Sequence, residues 1–83
     1  MTIDEVLNLP DFEFNHASID ITVPAGEDMV EYRCYFIDDS SKLRKTIDDL
    51  LESVDYVIVG IFGKINGQMK TYISEEHKRN WRT

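Results

Sequence analysis

Cysteine occurs once in these 83 residues, at Cys34. A single thiol closes no internal disulfide, which excludes a secreted disulfide scaffold. Long apolar runs are also missing. The longest, Tyr56 to Phe62, is interrupted by Gly60 and falls far short of the roughly 20 residues that span a bilayer. The opening MTIDEVLNLP has Asp4 and Glu5 where a leader needs a basic segment followed by an apolar one, so the cytoplasm is the expected compartment. Basic residues are scarce, with 9 Lys and Arg against 16 Asp and Glu and a net charge of −7. Such a chain repels phosphate unless its few cations cluster. Arg33 and Lys70 are all that the strand segments read below interleave with their aromatics, which argues against direct reading of RNA or DNA.

Catalytic and metal-binding patterns are equally thin. His16, His77 and Cys34 show no spacing that a metal centre would need. The adjacent acids Glu27-Asp28, Asp38-Asp39, Asp48-Asp49 and Glu75-Glu76 fall in turns, caps and helix faces, where neighbours point apart instead of converging on a substrate. Gly60-Ile61-Phe62-Gly63-Lys64 lacks both the preceding glycine and the following hydroxyl of a phosphate loop. Glycines inside a strand mark a bulge or a close approach. Cys34, mid-strand beside Val30, Tyr32 and Phe36, is expected to be a buried small hydrophobe. No enzyme, cofactor or metal is therefore expected.

What is present is enough apolar and aromatic residue, 42% and 11%, to collapse into a core. The length suits a single compact α+β domain over 1–83. Thr2-Ile3-Asp4-Glu5 forms a capping box for a short helix over 3–8, closed by Pro10, and residues 11–16 read as a loop. Ile19, Ile21 and Val23 alternate with Ser18, Asp20 and Thr22 as a half-buried strand. After the turn Pro24-Ala25-Gly26-Glu27-Asp28, a second strand covers 29–37. Its Val30, Tyr32, Cys34 and Phe36 share one face, and Glu31, Arg33, Tyr35 and Ile37 the other. Asp39 or Ser40 caps a helix whose stripe is Leu43, Ile47, Leu50, Leu51 and Val54. Residues 56–63, apolar on both faces, read as a central strand. Asn66-Gly67 signals a type I′ hairpin into a fourth strand over 68–74. Ser74-Glu75-Glu76 reads as a cap for a short C-terminal helix.

The expected fold is a four-stranded, mainly antiparallel sheet, ββαββ, in which two hairpins are joined by a helix. The main helix packs on one face, with short helices at both ends. Placing the third strand beside the first gives the order 2-1-3-4; 1-2-3-4 is the alternative.

Function rests on charge. Residues 1–39 hold ten acids and one base, Arg33, while residues 40–83 hold eight bases and six acids. The acidic half points to a non-enzymatic binding protein that docks on, and inhibits, a basic nucleic-acid-binding partner protein. A phage-encoded anti-defence inhibitor, an antitoxin or an immunity protein would fit. The expected contacts are Asp11, Glu13, Glu27, Asp28 and Glu31, with Phe12 or Phe14 as a loop anchor. The basic tail, Lys78, Arg79 and Arg82 with Trp81, is the rival surface. The partner is a protein, with no direct nucleic acid and no membrane. The alternative is a structural subunit, as a homodimer or part of a larger assembly. It is motivated by Tyr35, Ile37 and Tyr72 on the polar strand face.

Overall fold

A computed structural model describes residues 1–78. Its elements are α1 (Ile3–Leu7), β1 (Phe12–Gly26), β2 (Met29–Ile37), a 3-10 turn (Ser40–Lys42), α2 (Leu43–Leu51), β3 (Tyr56–Ile65) and β4 (Gln68–His77). The capping box forms as expected, with the Glu5 amide donating to the Thr2 hydroxyl and the Thr2 amide to the Glu5 carboxylate. Asp39 caps the 3-10 turn by accepting from the Ser41 amide. Asn66 and Gly67 take φ of 52° and 80°, the positive pair that a type I′ turn requires.

The four strands form one antiparallel sheet in the order β2-β1-β3-β4. One cluster of buried residues joins Ile3 and Val6 of α1, Leu43 and Ile47 of α2, and the odd-numbered residues Ala17, Ile19, Ile21, Val57, Val59 and Ile61 of the central strands. Both helices therefore cover the same face. Among the described residues no element covers the other face, and the molecule is 18 Å thick at its thinnest.

Two irregularities in β1 decide which side chains go where. Opposed residues in an antiparallel pair share a face, so one extra residue turns the strand over. Between Phe14 and His16 the pairing with β3 slips by one, leaving Asn15 as the extra residue. Phe12 and Phe14 thus share the helix-covered face with Ala17 and Ile19. Between Pro24 and Gly26 the pairing with β2 slips again, at Ala25. Without that slip, Ile21 would face Cys34. With it, Ile21 faces Arg33 and Ile19 faces Tyr35.

The structure corrects several expectations. Residues 12–16 belong to β1 and are not a loop. Tyr35, Ile37 and Tyr72 pack against the core and do not sit on a polar outer face. Cys34 is exposed, not buried. Residues 74–77 continue β4 and start no helix. The strand is held there by the Lys78 amide donating to the Asp55 carbonyl at 2.7 Å and by Arg44 on Glu76. Arg79, Trp81 and Arg82 of the expected C-terminal helix lie outside the described residues. Among the described residues no helix is long and apolar enough to cross a membrane.

Candidate protein-binding surface

β1 is longer than either neighbour. Its pairing with β3 ends at Asp20, and from Ile21 onward, among the described residues, it pairs with β2 alone. The far part of the β1–β2 hairpin therefore runs past the body of the sheet as a two-stranded ribbon. Glu27, Asp28 and Glu31 against Arg33 give this ribbon a negative balance. Asp28 sits in the turn at φ 57°, a left-handed position that Asp tolerates better than most residues. Met29, Val30 and Tyr32 are exposed beside these acids, Tyr32 at 79%. An isolated two-stranded ribbon is marginal in water; here Ile21 and Val23 pack on the core while Met29, Val30 and Tyr32 stay uncovered.

The ribbon continues into the bare face of the sheet. There the row Phe36, Ser18, Gly60 and Ile73 crosses all four strands in register. Large side chains stand at its ends and small ones in the middle, where the Phe62 ring leans over Gly60. Phe36 and Ile73 are each 73% exposed. On the next row His16 stacks on Phe62, ring centres 4.5 Å apart, with Phe36 within 6.5 Å of His16. Ile58, Tyr56 and Met69 add further exposed apolar area. Asp20 and Glu75 flank Ile58 in register, so the apolar surface is edged by carboxylates. Contiguous exposed apolar surface of this kind marks an interaction site, a ligand-binding groove or an aggregation liability.

The expected contact residues are only partly brought together. Glu27 and Asp28 lie at the tip of the ribbon, and Glu31 is beside them, bonded to Arg33 at 3.1 Å. Asp11, at φ 63°, and Glu13, opposite Lys64 in register, lie at the other end of β1. Fifteen residues of strand span roughly 50 Å, so these two acids cannot share a small footprint with the ribbon tip. Phe12 and Phe14 are no anchor. Both face the core, and Phe12 sits edge-on to Tyr72 at 6.0 Å. The aromatic surface is supplied instead by Tyr32, Phe36 and Phe62. Part of this was accessible from turn geometry. A two-residue Asn66-Gly67 turn sets Ile65 opposite Gln68, which puts Tyr72 inside with Ile61 and leaves Met69 and Ile73 outside.

The helix side gathers charge around one cation. Arg44 donates to Glu76 at 2.8 Å and lies 3.5 Å from both Asp4 and Asp48. The bond to Glu76 raises the Arg44 pKa further, so the cation stays permanently charged. Because Asp4 of the acidic half meets Glu76 of the other half at this one cation, the charge division along the chain is blurred on the helix side. On the sheet it survives. The β1–β2 hairpin carries five acids against Arg33, whereas β3–β4 balances Lys64 and Lys70 against Glu75 and Glu76. The Asp20 carboxylate, its register partner, pushes the Cys34 thiol up, which keeps it protonated and a poor nucleophile. Among the described residues no group of three or more His, Cys, Asp or Glu is placed to hold a metal ion. Compared with protein-family models, curated proteins and solved structures, the chain matches none.

Proposed function

We propose that this chain is a non-enzymatic binding protein. Its acidic β1–β2 ribbon and the adjoining bare sheet face dock on a basic partner protein of the nucleic-acid-binding kind. The observation that carries the reading is the ribbon itself, where Met29, Val30 and Tyr32 are exposed beside Glu27, Asp28 and Glu31. Exposed aromatic and aliphatic side chains supply the anchor of an interface, and the carboxylates around them select a cationic surface and speed the encounter. A surface that is basic enough to hold this ribbon is one that also holds phosphate. Docking there displaces the polynucleotide, and inhibition follows. A phage-encoded anti-defence inhibitor, an antitoxin or an immunity protein would fit this reading.

The test uses the immobilised chain and candidate nucleases or other nucleic-acid-binding proteins at low and high salt. Binding is expected at low salt, with release at high salt and competition by added DNA. Replacing both Glu27→Lys and Asp28→Lys should weaken it by about tenfold and flatten the salt dependence. Failure to hold any such protein at low salt would sink the reading. An unchanged affinity in the double variant would remove the ribbon tip from the interface.

A further inference from the structure

Among the described residues β2 is an open edge of the sheet, paired with β1 on one side. Its nine residues, Met29 to Ile37, contain no proline and no lysine, two of the devices that stop an edge from pairing with another chain. Its one cation, Arg33, is already bonded to Glu31 two residues away. Val30, Tyr32 and Phe36 stand exposed along it. The opposite edge, β4, is better guarded. It carries Lys70, Glu75 and Glu76, and the Met1 carbonyl accepts a hydrogen bond from its Ser74 hydroxyl at 2.6 Å.

We infer that β2 pairs with β2 of a second copy of this chain, antiparallel and centred on Tyr32. The two-fold axis then stands perpendicular to the sheet, and each strand keeps its own faces. Even-numbered residues must therefore oppose even-numbered ones. In the register centred on Tyr32, Glu31 of each copy opposes Arg33 of the other, twice by symmetry, on the face the two side chains already share. A register centred on Glu31 or on Arg33 sets like charges opposite each other, which is destabilising. One centred on Cys34 opposes Arg33 to Tyr35 and leaves both charges without a cross-strand partner. Tyr32 meets its own copy on the bare face, and Val30 meets Cys34. The result is a continuous eight-stranded sheet whose bare faces lie side by side. Pairing of this kind is independent of the basic-partner reading and is measured on the chain alone.

The charge test uses two variants, Glu31→Arg and Arg33→Glu. Each alone sets like charges across the interface and should self-associate about tenfold more weakly than the unaltered chain by sedimentation equilibrium. Mixed one to one, they should form a heterodimer, because each supplies the charge that the other lacks. Neither variant keeps the Glu31–Arg33 bond within its own strand, so recovery on mixing reports the contact between copies. The register test uses oxidation. Tyr32→Cys in a chain that also carries Cys34→Ser should cross-link, since directly opposed residues have Cα atoms about 4.5–5.5 Å apart. The unaltered Cys34, facing Val30 of the other copy, should not. A chain that stays monomeric at hundreds of micromolar, variants that fail to associate on mixing, or preferential cross-linking through Cys34 would each overturn the proposal.

Discussion

Ile61 and Ile73 sit on neighbouring strands one register step apart, and they face opposite sides of the sheet. Ile61 pairs with Tyr72 over the core, while Ile73 pairs with Gly60 on the bare face. Ile61 is 1% exposed and Ile73 is 73% exposed. The same substitution, isoleucine to threonine, should therefore read very differently at the two sites. At Ile61 it removes buried carbon worth about 0.8 kcal/mol per group. It also buries a hydroxyl with no partner, at about 1–3 kcal/mol. The expected loss is roughly 3 kcal/mol, a large share of the 4–12 kcal/mol or so that a domain of this size holds. At Ile73 the hydroxyl meets water, the β-branched shape is kept, and the change should stay within about 0.5 kcal/mol. With a urea slope near 1 kcal/mol per molar, Ile61→Thr should lower the unfolding midpoint by about 3 M and Ile73→Thr by less than about 0.5 M. Circular dichroism against urea measures both. Comparable losses at the two sites would mean that the face assigned to solvent is buried, and that β4 does not turn Ile73 outward.

Two further outcomes follow from particular contacts. A Cβ on Gly63 would meet the Glu13 carbonyl, and ring carbons of Phe12 at 2.5 and 2.8 Å. Gly63→Ala should therefore cost about 1–3 kcal/mol, read as a lower thermal midpoint, and an unchanged midpoint would contradict the close approach of β1. Hydrogen bonds from Ser41 and Thr2 hold the Asp39 and Glu5 carboxyls below their ordinary values of 3.8 and 4.5. Their contribution to stability is thus complete above about pH 4.5 and is lost as pH falls through the lowered values. Asp39→Ser keeps a capping oxygen without the titration, so its deficit in urea midpoint should shrink as the pH drops below about 4. A deficit independent of pH would refute the linkage.

Local signals are legible where one residue type answers one local need. The Thr2–Glu5 box, the Asn66-Gly67 turn, the bounds of β2 and the stripe Leu43, Ile47, Leu50, Leu51 and Val54 all lie in the plain alternation or capping pattern of the chain. What is not legible is a change of phase. Phe12 and Phe14 are even-numbered, whereas Ala17, Ile19 and Ile21 are odd-numbered. Along the bare string the alternation breaks, and the segment looks like a loop followed by a strand. The slip at Asn15 makes one strand of both halves, and nothing local in Asn15 announces it. The slip at Ala25 is harder still, because it inverts β2 against the composition of its faces. The more apolar set, Val30, Tyr32, Cys34 and Phe36, goes to solvent. Tyr35 and Ile37 go inward because Ile19 and Ala17 hold the register. The two slips together move the aromatic anchor. Phe12 and Phe14, expected at the surface, are packed on the core, and Tyr32 and Phe36, expected beside a buried Cys34, are the surface. At Ser74 a good helix start is overridden from outside by Arg44 on Glu76 and by the stack of Tyr56 on His77 at 5.7 Å.

The order β2-β1-β3-β4 also governs how the molecule forms in time. Each hairpin closes locally and fast, but neither has a core of its own. Ile19 and Val59 meet only when β1 and β3, separated by β2 and α2 in the chain, come together at the centre of the sheet. Non-local closure of this kind sets the folding barrier. During synthesis the ribbon and its exposed Tyr32 and Phe36 emerge well before β3 is made. For that interval both faces of the first hairpin are bare, and its apolar residues stand open to neighbouring chains.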